Sequence, residues 1–200
     1  METVRSFIAI LLPDELRLEL SKLQKRLKTG NKPWIKWADP NGIHLTLKFL
    51  GDVPLDRISE ISQLMTEAAR GIPPFHLETK GLGAFPDLKR VQVVWLGLGG
   101  KLDKLDQLHK QIESALSRLG FTPEARVFKA HLTLARLRRE ASPDERQDLG
   151  QLVLNTRPEK SHIIKVETIS LMRSQLTREG ARYSQLSYAG LGKDLLSKEG

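Results

Sequence analysis

The chain contains no cysteine. Disulfide staples, thiolate metal sites and a cysteine nucleophile are therefore excluded, and the cytoplasm is the expected compartment. It also lacks an apolar run able to span a bilayer. The longest near the start, Phe7-Ile8-Ala9-Ile10-Leu11-Leu12, stops at Pro13, well short of about 20 residues. That stretch has neither the basic flank nor the cleavage site of a signal peptide, so none is expected. Aromatics are few, at 6%, and long basic runs are absent, which argues against a dedicated RNA-binding module.

What the chain does have is an excess of cations: 32 Lys and Arg against 24 Asp and Glu, for a net charge of +8. Such a balance favours polyanionic partners, nucleic acid above all. Two hundred residues, 40% of them hydrophobic, suit one compact domain or two small lobes sharing a core.

With only five histidines in the chain, a tetrapeptide containing one of them occurs twice, as His44-Leu45-Thr46-Leu47 and His131-Leu132-Thr133-Leu134. Alternate side chains of a strand share a face. Strict alternation puts His44 and Thr46 on one surface, with Lys48 beside them, and Leu45, Leu47 and Phe49 on the other. The second copy sets His131 and Thr133 against Leu132 and Leu134, and places Arg136 on the leucine side, outside the site.

The surroundings of the two copies also match. Residues 3–12 read as a strand; Pro13, Asp14 and Glu15 open a helix whose stripe is Leu16, Leu20, Leu23 and Leu27. Residues 34–38 are open between strand and loop. After the first histidine strand come a helix marked by Leu55, Ile58, Ile61, Met65 and Ala68 and a strand over 74–85. A strand over 91–98 and a helix with Leu102, Leu105, Leu108, Ile112, Leu116 and Leu119 lead to the second histidine strand. A helix from Ser142 is expected to be interrupted by Gly150, and two strands near 161–173 and 181–190 meet at a turn, Arg178-Glu179-Gly180. The order strand, helix, histidine strand, helix, strand thus occurs twice. It predicts an α+β domain over 1–190 with pseudo-symmetric halves of about 1–88 and 89–190. A polar tail is expected over 191–200.

Two His/Thr faces set across a groove suit displacement at phosphorus. One imidazole takes a proton from the attacking group and the other protonates the departing oxygen, while the threonines hold the non-bridging oxygens. Other chemistries fit less well. No Asp, Glu or Cys stands at ligand spacing for zinc, and no nucleophile elbow accompanies a serine. Gly97-Leu98-Gly99-Gly100 matches no phosphate-binding fingerprint and reads as a turn. His76, His109 and His162 have no partner at comparable spacing and read as surface or packing residues.

These residues resemble the 2H phosphoesterase superfamily, in particular its RNA 2′,3′-cyclic phosphodiesterase branch, also called 2′-5′ RNA ligase. The resemblance is carried by Arg5-Ser6-Phe7-Ile8-Ala9-Ile10, His44-Leu45-Thr46-Leu47-Lys48-Phe49-Leu50-Gly51 and Gly83-Ala84-Phe85-Pro86. It continues in Trp95-Leu96-Gly97, His131-Leu132-Thr133-Leu134-Ala135-Arg136 and Gly180-Ala181-Arg182-Tyr183. Two positions depart from the family pattern: Ala130 stands where proline usually precedes the second motif, and Gln92 where an arginine is common.

The resemblance implies a two-lobed fold with antiparallel sheets about a central groove and helices outside. It implies hydrolysis of a 2′,3′-cyclic phosphate RNA end to a 2′-phosphate, without metal or other cofactor, and ligation as the reverse reaction. By motif, His44 is the proton donor, His131 the acceptor that activates water, and Thr46 and Thr133 bind phosphate oxygens. The expected partner is RNA with a cyclic phosphate end, tRNA fragments among the candidates, acted on by a monomer away from membranes. Two alternatives stay open: a cyclic phosphodiesterase for small nucleotides or ADP-ribose cyclic phosphate, and a non-catalytic RNA-binding protein on the same fold.

Overall fold

Apolar residues at strand and helix spacing, punctuated by proline and glycine, set the element order. The computed structural model describes residues 2–30, 32–177 and 180–192. Strand β1 (Thr3–Leu11) leads into helix α1 (Asp14–Leu27), whose acidic first turn complements the helix dipole and whose leucine stripe is buried as expected. Strand β2 (Ile35–Trp37) and a 3-10 turn at Pro40–Gly42 deliver the chain to β3 (His44–Pro54). Helix α2 (Ile58–Ala69) and β4 (Phe75–Phe85) follow. Then come β5 (Val93–Gly100), α3 (Leu102–Ser117), β6 (His131–Leu137) and α4 (Pro143–Asn155). Three strands end the described chain: β7 (Ile163–Val166), β8 (Thr168–Thr177) and β9 (Gly180–Gly190).

The strands form two antiparallel sheets, in the orders β3-β1-β8-β9 and β2-β6-β5-β4-β7. Each mixes strands from both parts of the sequence: β4 pairs with β5, and β8 pairs with β1. Helices α2 and α3 pack on the first sheet and α4 on the second. Helix α1 is tied to the second by Gln24, whose side-chain amide donates to the Ala38 and Leu134 carbonyls at 2.8 and 3.0 Å. One continuous apolar core runs through both units, from Ile8 and Leu45 to Leu132 and Ile164. The histidine strands β3 and β6, in different sheets, approach with Cα atoms within 8 Å. Among the described residues no helix is long and apolar enough to cross a membrane.

Three expectations change. The strand read over 161–173 is two strands: the chain passes at Glu167 from β7, which pairs with β4, to β8, which pairs with β1. The glycines at 97, 99 and 100 belong to β5 and form no turn of their own. Helix α4 runs straight through Gly150. It starts on a capping box, in which the Glu145 N–H donates to Ser142 Oγ and the Ser142 N–H to Glu145 Oε2. Gly150 serves packing: a Cβ there would meet the Leu88 carbonyl oxygen at 1.7 Å. Positions 178–179 of the expected turn, and the tail from 193 onward, lie outside the described residues. Leu191 is still packed, its N–H donating to the Glu167 carbonyl at 2.8 Å.

In a free helix Gly→Ala gains about 1 kcal/mol, but at position 150 the added methyl collides with backbone. Gly150→Ala should therefore lower stability by about 1–3 kcal/mol, read as a lower urea midpoint with the far-ultraviolet circular dichroism retained.

Candidate active site

Both histidine strands carry a bulge at the same place, and it overrules strict alternation. In β3, Thr46 pairs with Ala9 and Lys48 with Ile8, so Leu47 is the extra residue. In β6, Thr133 pairs with Trp95 and Ala135 with Val94, so Leu134 is extra. Two successive side chains then turn inward, and the next one emerges on the histidine face. Leu47 and Lys48 are buried, while Phe49 emerges beside His44 and Thr46, 62% exposed. Leu134 and Ala135 are buried, and Arg136 emerges beside His131 and Thr133. The expected placements of Lys48, Phe49 and Arg136 are thus all reversed.

Lys48 holds the core side of the site. Only 2% exposed, its Nζ donates to Glu113 Oε1 and Oε2 at 2.8 and 2.9 Å and to the Thr122 carbonyl at 3.1 Å. Glu113 Oε2 also accepts from the Glu124 N–H at 3.2 Å. One buried ion pair therefore fastens β3 to α3 and to the segment that leads into β6. His109 packs nearby, stacked on Phe128 at 4.2 Å, the packing role expected for it.

The two imidazoles are held alike. His44 Nδ1 lies 2.8 Å from the Gly42 carbonyl and His131 Nδ1 2.6 Å from the Lys129 carbonyl, in each case two residues earlier. A carbonyl only accepts, so Nδ1 carries the proton and Nε2 is left to exchange one. Thr46 and Thr133, both half-buried, share the faces of their histidines.

The surroundings differ between the lobes. Phe7 lies face to face with His44 at 4.5 Å, and Tyr183 of β9 stands edge-on to His44 at 5.1 Å and to Phe7 at 5.2 Å. Around His131 are Phe85, edge-on at 5.0 Å, and Trp95 at 6.5 Å. Trp95 lies across Gly83, where a Cβ would meet its ring at 2.3 Å. Burial pushes both imidazoles below the ordinary histidine value, against the smaller upward pull of their carbonyl bonds. The Arg136 charge presses His131 further down, and it also opposes the rise that burial imposes on the Tyr183 phenol. Arg136 on one lobe thus reaches His131 beside it and Tyr183, which touches His44, on the other.

Sequence reasoning named His44, Thr46, His131 and Thr133; each threonine shares the face of its own histidine, on strands β3 and β6 that approach one another. It left out Arg136, Tyr183, Phe49, Phe85 and Trp95. The parallel run His-Leu-Thr-Leu-x-Phe and His-Leu-Thr-Leu-x-Arg was the one signal for the emergent pair, since both copies keep the spacing.

Known proteins resemble this chain over most of its length. The family model described as LigT like Phosphoesterase matches residues 10–95 and again 99–183. A protein of Methanothermobacter thermautotrophicus named RNA 2′,3′-cyclic phosphodiesterase is 32% identical over 183 residues, covering 92% of this chain and 96% of its own length. One of the same name from Aquifex aeolicus is 29% identical, covering 96% of this chain and 100% of its own. Among solved structures, Escherichia coli LigT complexed with 3′-AMP superposes with a TM-score of 0.74 at 27% identity, covering 96% of this chain and 100% of that one.

Two outcomes follow from the site's electrostatics. Lys48→Met leaves the partly buried Glu113 without its counter-charge and should cost about 3 kcal/mol, the low end for a buried pair, measured by denaturant unfolding. In an NMR titration both site histidines should titrate below the ordinary value of about 6.5. Because the folded values are lowered, the unfolded chain binds more protons there. Their stability contribution is full above that pH and falls as the solution is acidified through the folded values. Phe7→Ala should raise the His44 value and Arg136→Gln the His131 value, each without moving the other.

Proposed function

The chain belongs to the LigT-like phosphoesterase family, and we propose that within it the protein acts as an RNA 2′,3′-cyclic phosphodiesterase, opening the cyclic phosphate at an RNA end to leave a 2′-phosphate. The observation that carries this reading is the repeated unit itself. Each lobe offers an imidazole held through Nδ1, a threonine hydroxyl two residues on, and one emergent side chain beyond a bulge.

His131 Nε2 takes a proton from water as the water oxygen bonds to phosphorus. The P–O3′ bond breaks on the opposite side, and His44 Nε2–H delivers its proton to O3′. The phosphate remains on O2′. Lowered imidazole values suit the base. For the acid, the anionic phosphate bound beside His44 favours the imidazolium and restores the proton. The hydroxyls of Thr46 and Thr133 and the Arg136 guanidinium donate to the non-bridging oxygens, where negative charge must be held throughout. Phe49 and Tyr183, packed on the buried Phe7, give the other lobe aromatic surface for a base, the sequence-tolerant contact of single-stranded RNA. If the 5′-hydroxyl of a second RNA replaces water as the nucleophile on the cyclic phosphate, the same P–O3′ bond breaks, His44 protonates O3′, and the product is a 2′-5′ linkage. Relatives named RNA 2′,3′-cyclic phosphodiesterase, and a LigT structure holding 3′-AMP, support the choice of substrate class.

An oligonucleotide with a 2′,3′-cyclic phosphate end should be hydrolysed in excess chelator to a product bearing only a 2′-phosphate, identified by chromatography against both isomers. His44→Ala and His131→Ala should each lose about 10²–10⁴ in kcat. A 3′-phosphate product, or full activity in either variant, would overturn the reading.

A further inference from the structure

The strand beside His131 presents a charge that the in-line displacement does not use. Lys36 on β2 stands directly opposite Arg136 on β6. Opposite residues of an antiparallel pair share a face, so Lys36 lies on the groove side with Arg136. Its neighbours Ile35 and Trp37 pack into the core instead. Both cations are exposed, and no carboxylate pairs with either among the described residues. Like charges facing each other across a ladder destabilise a sheet. An anion bound from solution relieves that repulsion.

Arg136 is within reach of His131 and belongs with the reacting phosphate. Lys36 lies one strand spacing, about 4.8 Å, to the side of Arg136, on a flexible four-carbon stem that acts as a point charge for phosphate. We propose that Lys36 and Arg136 form a two-phosphate clamp. Arg136 takes the terminal cyclic phosphate, and Lys36 takes the phosphodiester on the 5′ side of the terminal nucleotide. The preferred substrate is then an RNA end of at least two nucleotides, in preference to a mononucleotide. The clamp rests on the cyclic-phosphodiesterase reading of the same groove.

The test compares kcat/KM for a dinucleotide ending in a 2′,3′-cyclic phosphate with that for its analogue carrying a neutral methylphosphonate at the internal linkage. The unmodified enzyme should favour the charged substrate about tenfold, the size of one charge-assisted contact. Lys36→Gln should abolish that preference and Lys36→Arg should keep it. A charged-to-neutral ratio in Lys36→Gln equal to that of the unmodified enzyme would overturn the clamp. If the unmodified enzyme turns over neither substrate, the reaction reading fails by itself. The clamp is then decided by calorimetric binding of the 3′-phosphorylated dinucleotide and its methylphosphonate analogue, with the same ratio expected and the same result overturning it.

Discussion

In both lobes the imidazole Nδ1–H is committed to a carbonyl of its own chain two residues earlier, Gly42 for His44 and Lys129 for His131. That bond selects the tautomer, orients the ring and leaves Nε2 free of its proton without calling on a carboxylate. A local bond of this kind needs only the residues immediately before the strand, so a duplicated strand brings its own orienting group with it. The rest of the site follows from that constraint, because everything else must approach the rings from the groove.

What approaches differs between the lobes. Phe7 and Tyr183 pack on His44, with Phe49 against Phe7, whereas Arg136 and Lys129 lie about His131, the latter with its Nζ 5.8 Å from the Phe85 ring, and Lys36 stands opposite Arg136. The symmetry of the backbone is thus broken by side chains at matching positions, above all by Phe49 and Arg136 just beyond the two bulges. One histidine therefore has mainly aromatic neighbours and the other a cationic one as well.

The exchange of strands joins the lobes. Because β4 completes the sheet of β5 and β8 the sheet of β1, loosening either sequence half would open both sheets. The buried Lys48–Glu113 pair adds a second link, from the strand of one histidine to the segment approaching the other. The two histidine strands are thereby anchored in a shared core, where packing resists small displacements.

Much was legible in the sequence because it is local. Hydrophobic period marked α1 and its buried leucines, and the repeated His-x-Thr marked the two strands, β3 and β6, that approach one another from different sheets. Local reading went astray where partners outside the window decide. No neighbour of Leu47 or Leu134 announces a bulge; it exists because β1 and β5 pair in a register that skips one residue. Gly150 looked like a helix breaker because the Leu88 backbone pressing on it is remote in sequence. Lys48 looked like a groove cation because its counter-charge, Glu113, lies on α3. The sequence by itself determined the duplicated units and the class of enzyme they belong to. Only the tertiary structure decided which side chains emerge beside the histidines, because strand register and close packing are set by contacts between segments distant in the chain.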